Sequence, residues 1–179
     1  MPNSGTNYLS YTGRFGGTSH SCPVVAGVAA LMLSVNSTLD YMDVFNILTS
    51  TADEVGGYTY TNGRCNEMGY GRVNAFSAVC EALPESYITG PSTVCTSNST
   101  FTLHNRPPGS SVSWSKSRFY LVYVSGQGTD QYTVHASSND VKSSGFVKAT
   151  ISGPCGNIIT QKNIWIGRPG LPVTTPDGD

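Results

Sequence analysis

The 179 residues predict a chain in two parts, a mainly helical segment to about residue 84 and an all-β sandwich after it. The texture of the sequence changes there. Before Leu83-Pro84-Glu85-Ser86 the apolar residues cluster at helical spacing and alanine is frequent. After it, short runs rich in Val, Ile, Tyr, Phe and Trp alternate with Ser and Thr and are separated by Gly, Pro and Asn. A proline closing a helical pattern is a stop signal. Composition sets the outer limits: 12% of residues are charged, 20 are Gly, 10 are Pro, and the net charge is -1. Charge usage is about half the globular norm of roughly 25%, which excludes a coiled coil or a highly charged disordered chain. A near-neutral balance gives no electrostatic footprint for nucleic acid or an anionic membrane surface.

In the first part, Ser21 to Val35 is apolar on every side, and such a helix expects burial all round. A second helix is predicted from about Leu39 to Ser50, with Ser37 or Thr38 as its cap. Its apolar positions Tyr41, Val44, Phe45 and Leu48 recur at three- and four-residue steps. Asp40 and Asp43 open that helix, where carboxylates complement its dipole. A loop rich in Gly, Tyr and Asn spans residues 56–70, and a third helix is expected from about Asn74 to Leu83. The run Pro23 to Leu33 is about half the length a membrane-spanning helix needs.

The second part offers at least six strands: Ser99–Leu103, Val112–Ser115, Phe119–Val124, Gln131–Ala136, Phe146–Ser152 and Asn163–Ile166. Val112 and Trp114 fall on one face, Ser113 and Ser115 on the other. Short alternating strands with turn signals between them predict a sandwich. Trp114, flanked by serines, reads as a core residue. Tyr120, Tyr123 and Tyr132 read as ordinary strand packing, with an aromatic recognition surface as the alternative. The residues after Arg168 read as a linker tail, 169–179.

The chemically informative stretch is Gly16-Gly17-Thr18-Ser19-His20-Ser21-Cys22-Pro23-Val24-Val25-Ala26-Gly27. It places Ser19 between a glycine turn and an apolar helix. Unpaired backbone N–H groups and the positive end of the helix dipole favour developing negative charge there. A nucleophilic serine uses that setting, because its own N–H helps hold an oxyanion. Local chemistry alone favours a plain N-cap, since serine leads the cap preferences. Pro23, read as lying in the first turn, costs little because its missing N–H would be unpaired anyway.

Gly-Thr-Ser-x-Ser-x-Pro-x-Val-Ala-Gly, continuing through Ala29-Ala30-Leu31, resembles the active-site serine segment of subtilisin-like serine proteases. Leu48-Thr49-Ser50-Thr51-Ala52 is similar to that family's helix end. Gly69-Tyr70-Gly71-Arg72-Val73-Asn74-Ala75 is similar to its Gly-x-Gly-x-x-Asn-Ala segment. Three motifs in order cover roughly residues 2–83. The resemblance implies that Ser19 is the catalytic nucleophile of a serine endopeptidase acting on polypeptide. It also implies the fold class: an α/β C-terminal fragment of a subtilisin-like domain (residues 1–84), mostly helices with its parallel sheet largely missing, before the sandwich (residues 85–168).

In that family the catalytic Asp and His and the oxyanion Asn precede the serine. Only 18 residues precede Ser19, and they hold no Asp and no His. The expected partner is therefore an N-terminal part of the peptidase domain outside these residues, and the chain alone is expected to be inactive, since a triad acts as a unit. His20 adjoins Ser19 and reads as a pocket-wall or packing residue. A complete hydrolase in these residues would need His104 or His135, both on predicted strands, as its base. The remaining alternative is a catalytically dead remnant carrying an adhesion or spacer sandwich.

Five cysteines suit an oxidising compartment. Cys22 reads as a packing thiol, with a reactive thiol as the alternative. Cys65 with Cys80, and Cys95 with Cys155, are candidate pairs whose connectivity the sequence does not fix. No clustered Cys/His spacing points to a metal, so no cofactor and no metal are expected. Residues 87–168 are similar in texture to immunoglobulin-like or PKD-like modules of secreted bacterial proteins. Residues 1–15 lack an apolar signal core. The expected location is secreted, cell-surface or periplasmic, with the export signal outside these residues, and no membrane span or nucleic-acid partner is expected.

Overall fold

A computed structural model describes residues 17–168; the tail expected at 169–179 lies outside the described residues. The chain divides into two compact units, Met1–Leu83 and Pro84–Asp179.

Among the described residues the first unit contains three helices, α1 (Thr18–Val35), α2 (Tyr41–Ser50) and α3 (Ala75–Glu81). The second contains eight strands: β1 (Tyr87–Thr89), β2 (Thr93–Val94), β3 (Ser99–His104), β4 (Ser111–Lys116), β5 (Leu121–Ser125), β6 (Gln131–Ala136), β7 (Ser143–Gly153) and β8 (Gly156–Ile166). This corrects the α/β, mostly helical expectation. The three helices are short, 18, 10 and 7 residues, and strand is the commoner structure. Residues 51–73, with the loop expected at 56–70 among them, hold turns and isolated bridges, and Gly56, Gly57, Gly63, Gly69 and Gly71 all take positive φ there.

The expectation that α1 is buried on all sides is also corrected. Only Val28 and Met32 are buried; with Ala78 and Ala82 of the third helical segment they form a four-residue core. Val24, Val25, Leu31 and Leu33 stay exposed, Leu31 at 53%. Among the described residues α1 is the helix long and apolar enough to cross a membrane, a property it shares with core helices of soluble proteins.

Helix α2 starts at Tyr41, capped by Asp40 and not by Ser37 or Thr38. The Asp40 Oδ1 accepts from the N–H groups of Met42 and Asp43 at 2.8 and 2.9 Å, and Asp43 Oδ2 accepts from the Asp40 N–H at 3.0 Å. That reciprocal arrangement is a capping box. Of the expected apolar stripe, Val44 and Leu48 pack inward, whereas Tyr41 (81%) and Phe45 (49%) are exposed. Helix α3 is capped by Asn74, whose Oδ1 accepts from Ser77 N–H at 3.0 Å.

In the second unit the sheets run β1-β3-β6-β5 and β2-β8-β7-β4. All pairs are antiparallel except β2 with β8. The fifteen buried residues of one core come from both sheets, among them Phe101, Tyr132 and Val134 from the first and Trp114, Val147 and Ile151 from the second. Alternation places them: in β4 Val112 and Trp114 are buried while Ser111, Ser113 and Ser115 are exposed. Trp114 stacks on Tyr132 at 5.1 Å and donates from Nε1 to Thr129 O at 2.8 Å. β4 is an edge strand, and the Gln127 side chain closes it at Trp114, accepting from its N–H at 2.9 Å and donating to its carbonyl at 2.7 Å.

Candidate active site

Ser19 is the second residue of α1 and is exposed. The N-cap is Gly17, at φ 92°, so Ser19 does not serve as the cap. The Gly17 carbonyl accepts from His20 N–H at 3.1 Å and from Ser21 N–H at 3.3 Å. The N–H groups of Thr18 and Ser19 precede those bonds and lie at the open, positive end of the helix. The Ser21 hydroxyl donates back to the Gly17 carbonyl at 3.3 Å.

Pro23 sits in the second turn, not the first, because α1 begins at Thr18. Its missing N–H is the one that would reach the Ser19 carbonyl four residues back, so the proline does cost the helix a bond, and it does so at Ser19. A cleft of about 350 Å³ lies beside this turn, lined by His20, Ser21, Val24, Val25, Met68 and Val73 among others.

The glycine-rich segment and the end of α2 are joined by one network. Asp53 and Arg72 form an isolated antiparallel bridge. The Asp53 carboxylate accepts from Arg72 at 2.9 Å and from Asn74 Nδ2 at 3.0 Å. Hydrogen bonds from Arg72 and then Asn74 hold its carboxyl below the ordinary carboxylate value. Asn74 thus both caps α3 and secures Asp53. Sequence reasoning missed Asp53, although it lies just beyond the Thr51-Ala52 pair the reading had singled out.

The other candidate residues are committed locally. Asp40 and Asp43 are engaged in capping α2. His104 stacks on Tyr87 at 4.8 Å, with Nε2 2.8 Å from Thr89 Oγ1. His135 places Nδ1 2.8 Å from the Ala136 carbonyl. Cys22 is exposed with a free thiol, not packed as expected. Cys65 and Cys95 are also free thiols, whereas Cys80 and Cys155 are disulfide-bonded, so the pairs Cys65–Cys80 and Cys95–Cys155 are not made. Cys65 is buried, its Sγ accepting from Met68 N–H at 3.3 Å.

Residues 2–71 match the Subtilase family of peptidases. A calcium-dependent protease of Trichormus variabilis is 47% identical over 85 residues, covering 46% of this chain and 13% of its own length. A calcium-dependent protease of Nostoc sp. is likewise 47% identical, over 90 residues, covering 46% of this chain and 14% of its own. Bacillopeptidase F of Bacillus subtilis is 40% identical over 70 residues, covering 39% of this chain and 5% of its own. The chain therefore spans about a seventh or less of these relatives. A crystal structure of the YadV chaperone covers 54% of this chain and 55% of its own at 12% identity and a TM-score of 0.33, too slight a likeness to define a fold. Among the described residues no group of three or more His, Cys, Asp or Glu side chains is placed to hold a metal ion.

Proposed function

We propose that residues 1–84 are the C-terminal portion of a serine endopeptidase domain and that Ser19 is its nucleophile. The carrying observation is the coincidence of the subtilase match over residues 2–71 with an exposed Ser19 at the N-terminus of α1. In this reading the Ser19 hydroxyl attacks a peptide carbonyl carbon and gives its proton to a histidine. The Ser19 N–H stabilises the oxyanion, the amine leaves with the proton from the histidine, and water then releases the acyl group.

The histidine and its orienting aspartate come from an N-terminal part of the domain outside these residues. The residues before Ser19 contain neither, and His104 and His135 are held in the second unit. The chain by itself is accordingly inactive. The exposed apolar surface of α1 is where that N-terminal part packs. Residues 85–168 serve as an immunoglobulin-like or PKD-like spacer, 169–179 as a linker, and the whole is exported, which the oxidised Cys80 and Cys155 favour.

The test is peptidase activity after the chain is joined to the N-terminal region. Ser19→Ala then lowers kcat by about a thousandfold or more. Full activity in that variant overturns the proposal.

A second reading has its own observation. Among the described residues the sandwich has a fifteen-residue buried core, whereas the helical unit has four buried core residues. A dead peptidase remnant attached to a self-sufficient adhesion module would look the same. Wild-type inactivity after joining supports that reading.

A further inference from the structure

We infer that the second unit carries a binding cleft for a neutral saccharide, built on Tyr120 and lined by Ser138, Asp140, Lys142 and Ser143. The cleft has a volume of about 470 Å³, within the range of small-ligand sites. Nothing in the peptidase reading uses it, and it stands or falls separately.

Three observations carry it. Tyr120 takes φ 69°, a left-handed backbone that is an outlier for a bulky side chain. Its carbonyl accepts from the Ser137 N–H at 2.9 Å, which holds the strained residue in place. The strain delivers an aromatic ring to the surface: Tyr120 is 51% exposed and its neighbour Phe119 71%, their rings tilted 6.3 Å apart. Tyr87, Tyr123 and Trp165 of this unit are exposed as well, but Tyr120 is the aromatic residue that lines the cleft.

The lining is chemically mixed. Asp140 supplies an acceptor, Lys142 a donor, and Ser138 and Ser143 hydroxyls that do both. The Ser138 hydroxyl lies 3.4 Å from Asp140 Oδ2, a long contact that a ligand hydroxyl can replace. One carboxylate and one ammonium leave the cleft with no net charge, which favours neither an anion nor a cation. A sugar ring suits this combination: it presents apolar C–H faces to an aromatic ring and vicinal hydroxyls to acceptor and donor groups.

The experiment is affinity electrophoresis of the full chain in native gels containing laminarin, soluble xylan or glucomannan, with polygalacturonate as the anionic comparison. At least one neutral glycan retards the wild type. Tyr120→Gly keeps or raises the melting temperature, because glycine adopts this φ freely, yet weakens retardation about tenfold or more. Tyr120→Phe, which retains the ring, keeps binding. Absence of retardation by any neutral glycan overturns the inference. Retardation by polygalacturonate only, or unchanged retardation of Tyr120→Gly, overturns it too.

Discussion

Asp53 and Arg72 hold each other through main chain and side chain together. The Asp53 N–H donates to the Arg72 carbonyl at 2.8 Å, the Arg72 N–H returns a bond at 2.9 Å, and the side chains form a 2.9 Å ion pair. This pairing ties the segment after α2 to the glycine-rich segment before α3 across nineteen residues of chain.

The pairing has a pH signature. Asp53 titrates below its ordinary value in the folded chain, so its contribution is complete above about pH 4 and is lost as pH falls through the folded value. Thermal melts of the wild type are expected to fall more steeply below about pH 4 than those of Asp53→Asn. Parallel curves for the two would show that the carboxylate contributes nothing to the fold.

Gly71 is the point of closest approach in the same network. It takes φ 110°, and a β-carbon there would lie 2.2 Å from the Asp53 carbonyl oxygen. Gly71→Ala is expected to destabilise by about 1–3 kcal/mol or more. Gly69, at φ 62° with open space around it, should accept Asn at small cost. Urea unfolding of the two variants measures the contrast.

The two sides of α1 should respond oppositely to substitution. Met32 is fully buried, and Met32→Ala is expected to cost about 2–5 kcal/mol. Leu31 is half exposed, and Leu31→Gln should change stability by about 0.5 kcal/mol or less. The same substitution should reduce binding of a hydrophobic dye, since Leu31 belongs to the uncovered apolar surface with Val24, Val25 and Leu33. Dye fluorescence and denaturant midpoints on one set of samples separate the two effects.

In the sandwich, Trp114→Ala removes a buried ring stacked on Tyr132 and should cost about 3–5 kcal/mol. Gln127→Ala touches no core atom but frees the Trp114 N–H and carbonyl on an edge strand. The expected loss is about 1 kcal/mol, with faster aggregation because the edge is then open to pairing. Light scattering alongside guanidinium unfolding reads both.

Legibility in the sequence followed periodicity. Gln131–Ala136 was readable to the residue because Tyr132, Val134 and Ala136 alternate with polar neighbours. β8 runs from Gly156, yet only Asn163–Ile166 was legible, since Asn157 and the polar Thr160-Gln161-Lys162 hide a strand whose pairing with β7 fixes it. β1 and β2, three and two residues long, carry too little pattern to be seen. The cap of α2 was misplaced because Ser37, Thr38 and Asp40 are all competent caps, and the reciprocal bond to Asp43 decides among them. At the candidate site the place of Ser19 at the start of α1 was legible from its motif. Asp53 was not, because its partners lie nineteen and twenty-one residues away. The exposure of α1 is a fact of tertiary packing that composition alone cannot supply.

The central claim is that Ser19 is a nucleophile silent in this chain and active once its base is supplied. The most direct measurement is intact mass with peptide mapping after exposure to a fluorophosphonate, on the chain alone and on the chain joined to its N-terminal region. The expected result is no adduct on the chain alone and one adduct, on Ser19, in the joined protein, absent from Ser19→Ala. Labelling of the chain alone at Ser19, or an adduct on the joined protein that persists in Ser19→Ala, would contradict it.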